Sequence, residues 1–131
     1  MIDIHIDGAS KGNNSKVCER RAYTCLVVPD RNEVLISERG NLTNNEAEWD
    51  ALIEALFYIK SQKIKEKIRI LSDSQLVVNQ YNDEYKIKNV SLKFRYEHAK
   101  RLVKLYEIDL ILKWIPREEN YAGHELERRF V

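Results

Sequence analysis

The hydrophobic period of this chain changes once, at Thr43, and that change limits the fold more than any other feature of the sequence. Before it, Ile2, Ile4 and Ile6 alternate with polar residues in "IDIHID", the period-2 mark of a strand that Gly8 is expected to end. Two more strand-forming runs follow, over 18–29 and 33–39, separated by the turn "PDRN". Three successive strands with a short turn predict an antiparallel meander. After Thr43, Glu48, Leu52, Ala55, Leu56 and Ile59 recur at helical spacing, and Thr43-Asn-Asn-Glu46 has the form of a capping box. "KIRILS" then reads as a strand, "SQLVVNQY" as a short helix, "SLKFRYEHAKRLVKLY" as a longer one, "IDLILKWI" as a strand and "ENYAGHELERRF" as a closing helix. A meander followed by alternating helices and strands implies an α/β mixed sheet with helices packed against it.

A length of 131 residues, 44% of them hydrophobic and 33% charged, suits a single domain spanning 1–131 with its own core. No window approaches the ~18 apolar residues of a membrane span, and the start lacks a basic segment leading into an apolar run. The expectation is a soluble, cytoplasmic, monomeric protein. Cys18 and Cys25 lie seven residues apart in a strand-forming segment, an odd offset that points them to opposite faces. Their separation along a strand, roughly 23 Å, far exceeds the ~7 Å limit for a bridge. Unbridged thiols in a reducing compartment are expected.

The net charge of +1 hides an uneven layout. Residues 86–104 hold seven Lys or Arg against one Glu, whereas residues 46–54 hold four acids and no base. The basic run is either a solvated helix face or a surface for a polyanion, and its interleaved Phe94 and Tyr96 do not decide between them.

Three carboxylates stand where packing alone would not put them. Asp7 ends the first strand and Asp73 follows "IRILS" just before a helix, so both lie at strand termini, where neighbouring parallel strands build sites. Glu48 heads an otherwise apolar helical stripe and therefore points at the sheet, while Glu46, roughly 200° around the helix, is explained as the capping partner of Thr43. Singly, each acid has an ordinary structural role: Asp7 in a turn, Asp73 as a cap, Glu48 complementing a helix dipole. Converging, they would repel one another unless a cation sat between them, and hard carboxylate oxygens suit Mg²⁺ or Mn²⁺. Two such ions about 4 Å apart support in-line attack of water on a phosphodiester. The chain has no phosphate-binding Gly-rich loop, no CxxC and no serine-nucleophile motif.

Four segments, "IDGASKGN" (6–13), "TNNEAEWDALIEAL" (43–56), "SDSQLVV" (72–78) and "WIPREEN" (114–120), resemble the signature blocks of type 1 ribonuclease H, in order and over nearly the whole chain. The resemblance implies a five-stranded mixed sheet with helices on both faces, its first three strands antiparallel and its last two parallel. It also implies cleavage of the RNA strand of RNA/DNA hybrids with two Mg²⁺ or Mn²⁺ ions, leaving 5′-phosphate and 3′-hydroxyl ends, with no organic cofactor. The family's first three catalytic carboxylates fall on Asp7, Glu48 and Asp73. Its hybrid-contacting positions fall on Ser10, Asn13, Asn44, Asn45 and Gln75, with Thr43 near a DNA-strand phosphate. Short amides and hydroxyls suit exchange of hydrogen bonds with 2′-OH groups across a shallow minor groove.

The departures from the pattern matter too. "GNNSKV" replaces the family's "GNPGPG", the catalytic-loop histidine of some members has no counterpart, and no basic insertion separates the middle helices. The run at 86–104, with Lys100 and Arg101, is then the expected outer binding surface, and no added hybrid-binding module is expected before the first strand. In the block "N-x-x-A-D-x-L-A" the family's fourth metal-ligating aspartate falls, counting from Asn120, on His124. Histidine serves at the corresponding place elsewhere in the superfamily, so His124 is expected to be a fourth catalytic and metal-ligating residue; a solvent-facing histidine in a weakened member is the alternative. Two other functions stay open: an inactive hybrid-binding module, which would not need all three acids, and a resolvase-like DNA nuclease, against which "TNN" and "DSQ" argue.

Overall fold

The structure is a computed structural model that describes residues 1–12 and 20–130. The meander is β1 (Ile2–Lys11), β2 (Arg21–Val28) and β3 (Glu33–Gly40). There follow α1 (Asn44–Ser61), β4 (Ile68–Ser72), α2 (Gln75–Tyr81), α3 (Val90–Leu105), β5 (Leu110–Trp114) and α4 (Tyr121–Phe130), with 3-10 turns at Pro29–Arg31 and Arg117–Glu119. The sheet order is β3-β2-β1-β4-β5, antiparallel between the first three strands in sequence and parallel from β1 to β4 and from β4 to β5. This is the five-stranded mixed sheet expected from the sequence.

Alternation along the central strands serves two layers at once. Ile2, Ile4 and Ile6 of β1 and Leu26 and Val28 of β2 join Leu52, Ala55, Leu56 and Ile59 of α1 in the main core. The opposite face carries a smaller cluster, Cys25 and Val27 of β2 against Ala122 and Leu126 of α4. Helices therefore cover both faces, and each fully buried Leu or Ile contributes about 1.5–3 kcal/mol through removal from water. The α1 helix is buried more widely than its single stripe suggests, because α3 covers a second side: Tyr96 meets Trp49 edge-on and Arg95 Nε donates to Asp50 Oδ1 at 2.7 Å. Cys25 is buried as a free thiol, and burial pushes its pKa up to about 12, so it is not a nucleophile at neutral pH. Cys18 and Asn13 fall outside the described residues.

The capping box forms as expected: the Glu46 N–H donates to Thr43 Oγ1 at 3.1 Å and the Thr43 N–H to Glu46 Oε1 at 2.9 Å. One expectation is corrected. The first strand continues to Lys11, so Asp7 lies within it and not at its end, and Gly8 does not end it either. The importance of Gly8 is tertiary instead, since a Cβ at position 8 would lie 2.2 Å from the carbonyl carbon of Ala47 and 2.5 Å from the nitrogen of Glu48. No side chain fits between β1 and the first turn of α1. Gly8→Ala is expected to destabilise the fold by about 1–3 kcal/mol, as overpacking does, because the obstructing atoms are backbone. Urea denaturation of the two proteins checks this; an unchanged midpoint would show that the two elements are free to separate.

Candidate active site

The parallel register of β1 with β4 sets His5 opposite Leu71 and Ile6 opposite Ser72. Carried one residue further, it sets Asp7 alongside Asp73, where β4 ends while β1 runs on paired with β2. Glu48 reaches the same point from the first turns of α1 and is held there by the Gly8 N–H, which donates to its Oε1 at 2.5 Å. Ligand-capable oxygens of Asp7, Glu48 and Asp73 all lie within 4.8 Å of one another. The three acids proposed from the sequence thus form one cluster.

The cluster contains a cation that the sequence reading did not assign. Arg117 Nη1 donates to Asp7 Oδ2 at 3.1 Å and to Asp73 Oδ2 at 2.9 Å, while its Nε donates to Glu127 Oε1 at 3.0 Å. Asn120 is the second addition. It is 0% exposed, its Nδ2 donates to the carbonyl of Ile6 at 3.0 Å and to Asp73 Oδ2 at 3.2 Å, and its Oδ1 accepts from the Ala122 N–H at 3.1 Å. One amide therefore joins β1, Asp73 and the start of α4.

Electrostatics at the cluster are those of crowded anions. Burial, and then the neighbouring Asp73, raise the Asp7 pKa to about 6 despite Arg117, and Asp7 is only 1% exposed. Burial and Asp7 together push Glu48 well above the usual glutamate range, with the Gly8 N–H opposing them. Burial works against the Arg117 charge, but Asp7, Asp73 and Glu127 outweigh it and raise its pKa.

His124 is not a member of the cluster. It is exposed, and its Nε2 lies 3.1 Å from the carbonyl oxygen of Arg117. His5, on the same strand face as Asp7, is buried and accepts the Tyr121 N–H at Nδ1 (3.2 Å) while stacking on the Tyr121 ring at 4.5 Å. Burial lowers its pKa, as suits a neutral ring accepting a hydrogen bond at the start of α4.

With this geometry established, likeness to known proteins carries weight. The family described as "Reverse transcriptase-like" matches residues 19–129. Among solved structures, LC11-RNase H1 in complex with an RNA/DNA hybrid superposes with a TM-score of 0.80 at 27% identity, covering 96% of this chain and 93% of that one. The chain belongs to the reverse transcriptase-like family of ribonuclease H proteins. The N-terminal RNase H domain of Rv2228c from Mycobacterium tuberculosis gives a TM-score of 0.74 at 29% identity over 95% of this chain and 94% of that one. The full-length "Bifunctional protein Rv2228c" is 31% identical over 95% of this chain, which spans 34% of its length. EbsB of Enterococcus faecalis is 28% identical over 98% of this chain and 93% of its own.

Other positions matched to ribonuclease H fall as follows. Ser10 is buried near the end of β1, and its N–H donates to Asn44 Oδ1 at 2.6 Å, tying the strand to the start of α1. Thr43, Asn44, Asn45 and Gln75 are exposed at the starts of α1 and α2. Lys100 is occupied within the protein: its Nζ lies 3.7 Å from the centroid of the Tyr81 ring and 3.9 Å from Asp83 Oδ2, and burial lowers its pKa. Arg101, its neighbour on α3, is exposed. No helix among the described residues is long and apolar enough to cross a membrane.

The raised Asp7 pKa gives a sign to the pH dependence of stability without divalent ions. A carboxyl that titrates near 6 in the folded state, against 3.8 as its ordinary value, binds more protons folded than unfolded in between. Its contribution to stability is therefore fullest at acid pH and is lost as pH rises through about 4 to 6. In chelator, Asp7→Asn is expected to melt close to the parent near pH 4 and above it at pH 7, by an amount on the order of 1–3 kcal/mol. A melting difference that shrinks with rising pH would contradict the assignment.

Proposed function

We propose that this protein is a metal-dependent endoribonuclease that hydrolyses the RNA strand of RNA/DNA hybrids, leaving 5′-phosphate and 3′-hydroxyl ends. The observation that carries the reading is the convergence of Asp7, Glu48 and Asp73 on one point in a family whose solved relative binds such a hybrid. Three hard-oxygen ligands, with a guanidinium already among them as a stand-in cation, fit Mg²⁺ or Mn²⁺. A pair of such ions, when bound, would activate the attacking water and neutralise charge on the leaving oxygen.

The protein's own part is to hold ligands and strand. Packing of β1 against β4 and the Gly8 hydrogen bond fix the carboxylates before substrate arrives, which avoids reorganisation during the reaction. Asn44 commits its oxygen to Ser10, leaving its Nδ2 donors for a strand, and the exposed Asn45 and Gln75 add short amides beside it. Such groups meet the 2′-OH groups that distinguish RNA from DNA. Backbone N–H groups at the capped start of α1, next to Thr43, suit a phosphate. Arg101 extends the contact by charge, releasing counterions and not reading bases.

We further propose that His124, whose ring stands outside the cluster against the Arg117 carbonyl, turns to the carboxylates when metal is bound and serves as a ligand or proton carrier, in the role the family gives an aspartate. A neutral imidazole brings no negative charge and is a softer ligand, better matched to Mn²⁺ than to Mg²⁺. His124→Asp is expected to retain cleavage while shifting preference towards Mg²⁺, and His124→Ala to slow it with hybrid affinity nearly unchanged. Equal rates for parent and His124→Ala, with both ions and across pH, would leave His124 as a surface residue.

The test of the function is incubation of parent and Asp73→Asn with labelled RNA/DNA hybrid, duplex RNA and duplex DNA, with Mg²⁺, Mn²⁺ or chelator. Hybrid cleavage by the parent alone, abolished by chelator, is expected. An active Asp73→Asn protein would overturn the site, and cleavage of duplex DNA in preference to hybrid would favour the resolvase-like reading.

A further inference from the structure

Arg117 lies among the carboxylates in an arrangement too well supported to be an incidental surface contact. Its Nη1 bridges Asp7 Oδ2 and Asp73 Oδ2, and a separate nitrogen, Nε, is tethered to Glu127 on α4. The helix makes room for it. A Cβ on Gly123 would lie 2.8 Å from Nη1 and 2.9 Å from Cζ, so the guanidinium rests where α4 has no side chain. The same short turn presents the Arg117 carbonyl to His124 Nε2 at 3.1 Å, linking the backbone of this arginine to the helix it packs on.

We propose that Arg117 is a built-in counter-cation that competes with divalent metal for the carboxylates, so that metal entry is coupled to displacement of its guanidinium. This rests on the reading of Asp7, Glu48 and Asp73 as the metal site. Nη1 contacts carboxylate oxygens of two of the three residues in that cluster, and a guanidinium left in contact with them would place a positive charge beside the incoming ion. The two cations therefore exclude one another, and each weakens the other by the same factor, as linkage requires. Glu127 gives the displaced side chain an anionic partner of its own, keeping it close to the cluster. Arg117 acts here as a positioning residue: it holds the carboxylates together when metal is scarce and sets the metal concentration at which the site fills.

Two substitutions separate this role from general destabilisation. Arg117→Gln removes the charge. Gly123→Ala keeps it but pushes the guanidinium aside, and alanine otherwise favours the helix. Mn²⁺ binding, followed by electron paramagnetic resonance of the free ion, and melting with chelator or saturating Mn²⁺ are measured on parent, both variants and Asp73→Asn. The expectation is that Arg117→Gln binds Mn²⁺ about tenfold more tightly than the parent, the effect of one like charge removed near the ion, with Gly123→Ala between the two. Arg117→Gln is also expected to melt below the parent in chelator, with the gap closing in Mn²⁺. Mn²⁺ affinities of both variants equal to or weaker than the parent's, with Asp73→Asn still losing the ion, would overturn the competition and leave the metal site standing. Parent-like Mn²⁺ binding by Asp73→Asn would overturn the site, and this inference with it.

Discussion

The backbone of β1 at Gly8 and the first turn of α1 approach more closely than any side chain would permit, and the geometry of the site depends on that approach. It lets the Gly8 N–H hold Glu48, brings a helix-borne carboxylate to two strand-borne ones, and lets Asn44 take the Ser10 N–H a turn earlier. The main core supplies the force. Ile4 and Ile6 on one side and Leu52 and Leu56 on the other draw helix and strand together, and the missing side chain decides how near they come.

That closeness has an electrostatic cost, which the structure distributes among neighbours. Asp7 titrates high because it is buried beside Asp73, and a buried anion without compensation would oppose folding. A backbone N–H on Glu48, an amide on Asp73 and a guanidinium across Asp7 and Asp73 share the compensation. These are groups of different strength. The backbone donor and the buried amide are fixed by the fold, whereas the arginine is the end of a long side chain, so the compensation has a permanent part and an exchangeable part.

What could be read from the sequence follows the range of each interaction. The alternation of Ile2, Ile4 and Ile6, the Thr43–Glu46 capping box and the stripe below Glu48 are local patterns, and each formed where expected. The convergence of Asp7 and Asp73 was legible because parallel pairing sets β1 and β4 side by side, although only Asp73 stands at a strand end while Asp7 lies within β1. Arg117 was not, because it meets Asp7 across 110 residues, and although it lies in the block "WIPREEN", nothing beside it in the sequence marks its guanidinium for the carboxylates. Gly8 was misread for a related reason: a glycine after a strand looks like a turn, and only α1 reveals why no larger residue stands there. Lys100 belonged to a basic run by composition, yet its ammonium faces Tyr81 and Asp83 of the same fold. Asn120 marked the start of a family block, but nothing in its neighbours announces an amide that donates to a carbonyl 114 residues away.

Asn120 also bears on the order in which the molecule comes apart. It and the caps beside it fasten α4 to the rest, while the apolar cluster beneath that helix is much smaller than the main core: Cys25, Val27, Ala122 and Leu126, with Ala9, Tyr23, Ile36 and Phe130 packed against it. An element held by few buried contacts opens at lower free energy than the whole molecule. Opening of α4 removes Glu127 and the bed of Gly123 from Arg117 and loosens Asn120 from Asp73, yet leaves Gly8, Glu48 and the β1–β4 pairing untouched. Amide exchange would register two classes of protection within a few ångströms of each other: a fast-exchanging helix lying over a slow-exchanging floor that still carries all three carboxylates.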